Sequence, residues 1–155
     1  MTTTTIALGA RTQLAGAAAA LNSLASATYV VLGTITFANG VKTPLDAKLE
    51  VCVTPGTVGA PNQVSIYAQE SLDGATFGTG PVAGTTTVDE PDLRYIGSIP
   101  CFSNGTLQRG IFTLAARFGG MLPFAARIIA KNETGAALAS SGNDCFYQVG
   151  NGDTV

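Results

Sequence analysis

Between Leu45 and Val53 the side chains switch between apolar and polar at almost every step. Leu45, Ala47, Leu49, Val51 and Val53 fall on one face, and Asp46, Lys48 and Glu50 fall on the other. Successive residues of a strand point to opposite sides, so this period predicts a strand with one buried and one wet face, as antiparallel sheets provide. Residues 63–71 repeat the pattern, with Val64, Ile66 and Ala68 inward and Gln63, Ser65, Tyr67 and Gln69 outward. Further strands are predicted over 29–32, 34–37, 93–99, 111–115, 125–131 and 145–149, which favour β-branched and aromatic residues. Turn chemistry separates them at Asn39-Gly40, Pro55-Gly56, Asp73-Gly74, Asn104-Gly105 and Gly119-Gly120. About eight short strands spaced in this way imply an all-β antiparallel sandwich, jelly-roll-like or immunoglobulin-like in its winding. The jelly-roll form is the expectation taken forward.

Composition limits the chemistry. The chain has 155 residues, enough for one domain. Charged residues make up 12%, about half the usual share of a soluble domain. Eight basic and 10 acidic side chains leave a net charge of -2, which gives no basic face for nucleic acid. No stretch has the length and apolarity of a membrane-spanning helix. There is no histidine, so a Ser-His-Asp triad cannot form within the chain. A Ser-Lys pair with Lys42, Lys48 or Lys131 is formally available, but no motif supports it. Cys52, Cys101 and Cys145 have no metal-ligand spacing and read as buried small side chains. Asp89, Glu90 and Asp92 lack the spacing of a calcium loop and read as a solvated loop, with no metal or cofactor expected. Tyr67, Tyr95 and Tyr147 are candidates for a sugar-stacking platform, against the commoner reading of strand packing.

The chain divides into an N-terminal segment over 1–27, a sandwich domain over 28–150 and a loose tail over 151–155. The first segment is rich in Thr and then in Ala, which favours helix, and Thr12 is placed to cap one starting near Gln13. Leu14, Ala17, Ala18, Leu21 and Leu24 fall at helical spacing. Such a shallow face is marginal alone and needs a partner surface. It reads as an assembly arm, or as a frayed end or extra strand. It does not read as a secretory signal, because its start is uncharged and its apolar part is mostly alanine. Residues 78–91 form a Gly-, Thr- and Pro-rich connection, long enough to suggest a functional loop. The expected interface residues are therefore Leu14, Leu21, Leu24, Val82 and Val88.

Four strings occur in a shared order over roughly residues 20 to 147. They are Leu21-Asn22-Ser23-Leu24-Ala25-Ser26, Ser71-Leu72-Asp73-Gly74, Phe118-Gly119-Gly120-Met121-Leu122-Pro123 and the run from Asn132 to Asn143. In that order the chain resembles a family of small virion structural proteins of tailed bacteriophages. The resemblance implies a β-sandwich without enzymatic activity, of the capsid decoration or cement type. It implies the major capsid protein and further copies of the chain, as a homotrimer, as partners. It implies the capsid surface as location, after synthesis in the host cytoplasm. The alternative reading is a carbohydrate-binding or host-adhesion module of a phage tail.

Overall fold

The computed structural model describes residues 4–37, 44–59, 62–85 and 93–154. Its strands are β1 (Thr4–Leu8), β2 (Thr12–Gln13), β3 (Tyr29–Thr36), β4 (Asp46–Val53) and β5 (Gln63–Ser71). They continue with β6 (Ala83–Gly84), β7 (Arg94–Pro100), β8 (Gln108–Thr113), β9 (Ala125–Glu133) and β10 (Asp144–Thr154). A short helix, α1 (Ala17–Leu21), precedes β3, and a 3-10 turn over Ala115–Phe118 precedes β9.

All pairings are antiparallel. One sheet runs β1-β10-β4-β8 with β2 also on β10, and the other runs β6-β3-β9-β5-β7. Among the eight longer strands the pairing is nested: β1 with β10, β3 with β9, β4 with β8 and β5 with β7. A single long hairpin rolled into two layers gives this order, so the sandwich is a jelly roll. The described residues that lead into β4, β6 and β9 gather at one end of it. Those before β3, β5, β8 and β10 gather at the other.

The core lies between the sheets. Leu49, Val51 and Val53 of β4 face Val64, Ile66 and Ala68 of β5 and Ile128 and Ala130 of β9, all buried in one cluster. Each fully buried Leu, Ile or Val contributes about 1.5–3 kcal/mol relative to exposure. The alternation predicted for β4 holds from Asp46 onward. Leu45 differs: it precedes the strand, donates its N–H to the carbonyl of Gly150 and is exposed.

The predicted faces of β5 are also correct, but its outward face is not wet. Ser65, Tyr67 and Gln69 are all buried. β5 and its neighbour β9 are central strands, and a second apolar cluster of Tyr29, Tyr67, Leu93 and Ile129 covers their outer side. Val82 packs against that cluster. The chain after β5 folds back to meet it: Gly78 N–H donates to the Glu70 carbonyl, and Gln69 Nε2 donates to the Gly80 carbonyl.

Two predicted boundaries need correction. Residues 151–154 are not a loose tail, because they extend β10 and pair with β1. The segment over 4–27 is not a separate arm. β1 and β2 belong to the first sheet, and Leu14, Leu21 and Leu24 are buried in the chain's own core. Gly33 shows how closely this segment is fitted. Its φ is +149, and a Cβ there would lie 2.8 Å from Leu14 Cγ. Leu14 thus occupies the space that a bulge in β3, between Val31 and Gly33, leaves open.

Candidate functional site

The end of the sandwich that carries the connections into β4, β6 and β9 presents an apolar surface. Leu72 is 88% exposed and Met121 75% exposed, with Leu45 and Phe124 also on the outside. They surround a groove of about 470 Å³ completed by Pro44, Gly120, Leu122 and Pro123. No residue lining it is charged.

Local hydrogen bonding explains why these side chains face outward. In the turn after β5, Asp73 Oδ1 accepts from the N–H groups of Ala75 and Thr76, at 2.8 and 2.7 Å. Ser71 Oγ accepts from Gly74 N–H and donates to Asp73. The Thr76 and Ala75 N–H groups, with the Ser71 hydroxyl, hold the Asp73 carboxyl well below the usual carboxylate range. A turn closed by its own polar groups leaves Leu72 at its tip with nothing to pack on. Gly74 lies against the Phe124 ring, where a Cβ would come within 2.9 Å of Cε1. The connection into β9 is likewise fixed locally, by Gly119 at φ +77 and by Gly120 N–H donating to the Ala115 carbonyl. Leu72 and Met121 are therefore displayed on ordered turns.

The opposite end keeps its polar groups inside. Asn132 is fully buried, and its Nδ2 donates to the carbonyls of Leu24 and Ala136, each at 2.8 Å. Its Oδ1 accepts from the N–H and hydroxyl of Thr134. Asn143 donates to Asn22 Oδ1 and the Ala139 carbonyl and accepts from Thr54 N–H. The strings from Leu21 to Ser26 and from Asn132 to Asn143 thus touch at this end. Those from Ser71 to Gly74 and from Phe118 to Pro123 line the apolar groove at the other.

The outer face of the first sheet carries charges that cancel locally. Glu50 takes Arg11 at 2.5 Å and Arg109 at 2.8 Å. The Arg11 guanidinium also lies 3.2 Å from the centre of the Phe146 ring. Lys48 pairs with Asp46 and bonds to the Thr113 hydroxyl.

The sequence-predicted interface residues separate in space. Leu14, Leu21 and Leu24 are interior, with the β3 bulge and the Asn132 network holding that segment against the chain's own core. Val82 is half-buried against the tyrosine cluster. Val88 lies outside the described residues, as do Lys42, Asp89, Glu90 and Asp92. The three tyrosines do not form one platform. Tyr67 packs edge-on against Tyr95 with centroids 5.7 Å apart and is itself buried, while Tyr147 lies on β10 in the other sheet.

Lys131 pairs with Glu133 at 3.1 Å. Burial raises the Glu133 carboxyl pKa, but hydrogen bonds from Ser65, Gln63 and Lys131 outweigh it and leave the pKa below its ordinary value. All three cysteines are free and buried. Burial pushes the Cys101 thiol up to about 11 and raises Cys52 and Cys145 as well, so none is a ready thiolate. Among the described residues no group of His, Cys, Asp and Glu is arranged to hold a metal, and no helix is long and apolar enough to cross a membrane.

Sequence reasoning missed Leu72, Met121 and Phe124, although two of the strings quoted above contain Leu72 and Met121. Turn residues have no periodicity, and only their exposure in the folded chain separates display from packing. Comparison of the chain with protein-family models, with curated proteins and with solved structures finds no match.

Proposed function

We propose that the chain is a non-enzymatic structural protein of a tailed-bacteriophage virion. In this reading it is a cement or decoration protein of the capsid surface. Its partners are the major capsid protein, docked at the apolar end, and further copies of the chain as a homotrimer. The observation that carries the reading is the uncharged groove with Leu72 and Met121 on fixed turns beside it.

Covering such a surface strands no charge, whereas an unpaired buried charge costs several kcal/mol. Apolar area removed from water contributes about 25 cal/mol per Å² before the ordering costs of association. Turns that are already ordered reduce those costs. Many copies on one closed shell then add avidity without any new contact. The sparse charge of the chain, the jelly-roll winding common among viral capsid and lectin domains, and the four-string resemblance support the same reading.

The test is a count of copies in intact particles. Shell reinforcement predicts on the order of hundreds per particle, and about a dozen or fewer would contradict it.

A further inference from the structure

The sheet edges of this sandwich are unequally guarded. Proteins blunt exposed edges with charge, proline, irregularity or shortness, because an open row of N–H and C=O groups invites another strand. β7 begins at Arg94, ends at Pro100 and pairs across a register shift. β8 carries Arg109 and Gly110, and β6 has only two residues. β1, Thr-Thr-Ile-Ala-Leu, has none of these devices. The first charged residue of the chain is Arg11. β1 pairs with β10 on one side, and no described strand lies along its other side.

The register shows which groups are open. Gly9 N–H donates to the Val149 carbonyl at 2.8 Å, in line with the β1–β10 pairing. Antiparallel pairs alternate between bonded and non-bonded. Thr5 and Ala7 therefore direct their backbone groups to β10, and Thr4, Ile6 and Leu8 direct theirs outward. Gly150, opposite Leu8, agrees: its carbonyl accepts from Leu45 N–H rather than from β1. The Leu8 side chain is 64% exposed beside this edge.

We infer that the β1 edge pairs with the β1 edge of a second copy, antiparallel across a two-fold axis. The two five-stranded sheets then join into one. The groups to be satisfied are backbone donors and acceptors at strand spacing, so the occupant is an extended strand. A symmetric seam sets the strand against itself, and like charges facing each other across a seam are destabilising. β1 has no charge to oppose, whereas self-pairing of β7 or β8 would bring Arg94 or Arg109 to both sides. A register centred on Ile6 places Thr4 opposite Leu8 and converts every outward group into a bonded pair, about six hydrogen bonds in all. This two-fold contact is separate from the three-fold one of the homotrimer proposed on the shell, and it does not depend on the virion reading, because it belongs to the isolated chain.

The test is sedimentation of the full chain over a concentration series, with amide hydrogen exchange on the same samples. A reversible dimer is expected. The Ile6 and Leu8 amides gain protection as it forms, while those of Thr5 and Ala7 are protected already in the monomer. Leu8→Pro removes an outward N–H and no bond to β10, and is expected to raise the dimer Kd about tenfold or more. Ile6→Lys sets two ammonium groups across the axis and acts in the same direction. It decides the matter if Leu8→Pro does not fold. A chain that stays monomeric to about millimolar concentration overturns the inference. So does a dimer with Ile6 and Leu8 amides unprotected, or one that folded variants form as readily as the parent.

Discussion

The two ends of this jelly roll use similar short turns to opposite effect. Where α1 enters β3 and β9 turns into β10, Asn132 and Asn143 point inward. They bind carbonyls and an amide from three separate stretches of chain. Where β5 ends, Asp73 and Ser71 bond only to their own turn, and Leu72 is left outside. A polar side chain that reaches across the sequence ties segments together and buries their apolar neighbours. One that closes its own turn exposes them. The first arrangement serves folding, and the second serves display.

The largest expected effect of a substitution therefore lies at the tied end. Asn132→Leu takes away one of the two donors to each of the Leu24 and Ala136 carbonyls and leaves the buried Thr134 N–H without its acceptor, and should cost about 2–4 kcal/mol in urea unfolding. A cost below about 1 kcal/mol would mean that the network holds little. Gly33→Ala tests the same end from the packing side. The added methyl meets Leu14 at a backbone angle that side chains avoid, with an expected loss of about 1–3 kcal/mol in thermal or urea unfolding.

Leu72→Ser at the displayed end should change stability by less than about 0.5 kcal/mol, since an exposed tip loses almost no packing. The Asp73 turn gives the smallest effect. Its folded-state pKa lies below the unfolded value of about 3.9, so its contribution is complete above that pH. It is lost as pH falls through the lower folded value. Amide shifts of residues 72–76 should accordingly stay folded-like below pH 3.9, and Asp73→Asn should remove that pH dependence.

How far the sequence foretells this contrast depends on the kind of signal. Strand phase in β4 and β5 is legible because alternation reports the pleat directly. Alternation cannot report a second cover, so the polar-looking face of Ser65, Tyr67 and Gln69 reads as wet when Val82 and Leu93 close it. Helical spacing of Leu14, Leu21 and Leu24 reveals an apolar face but not whose core it enters. The glycine- and asparagine-rich stretch after Val149 has weak strand propensity, and only its pairing with β1 makes it a strand. Leu72, Met121 and Phe124 carry no periodic mark, because display from a turn depends on hydrogen bonds formed after folding.

The most direct test of the displayed end is occupancy on purified phage shells for the parent chain and for the Leu72→Ser/Met121→Ser double variant, at matched concentration. Saturating binding by the parent, with a loss of about tenfold or more in the variant at unchanged melting temperature, is the expected result. Equal occupancy by both chains would contradict the account.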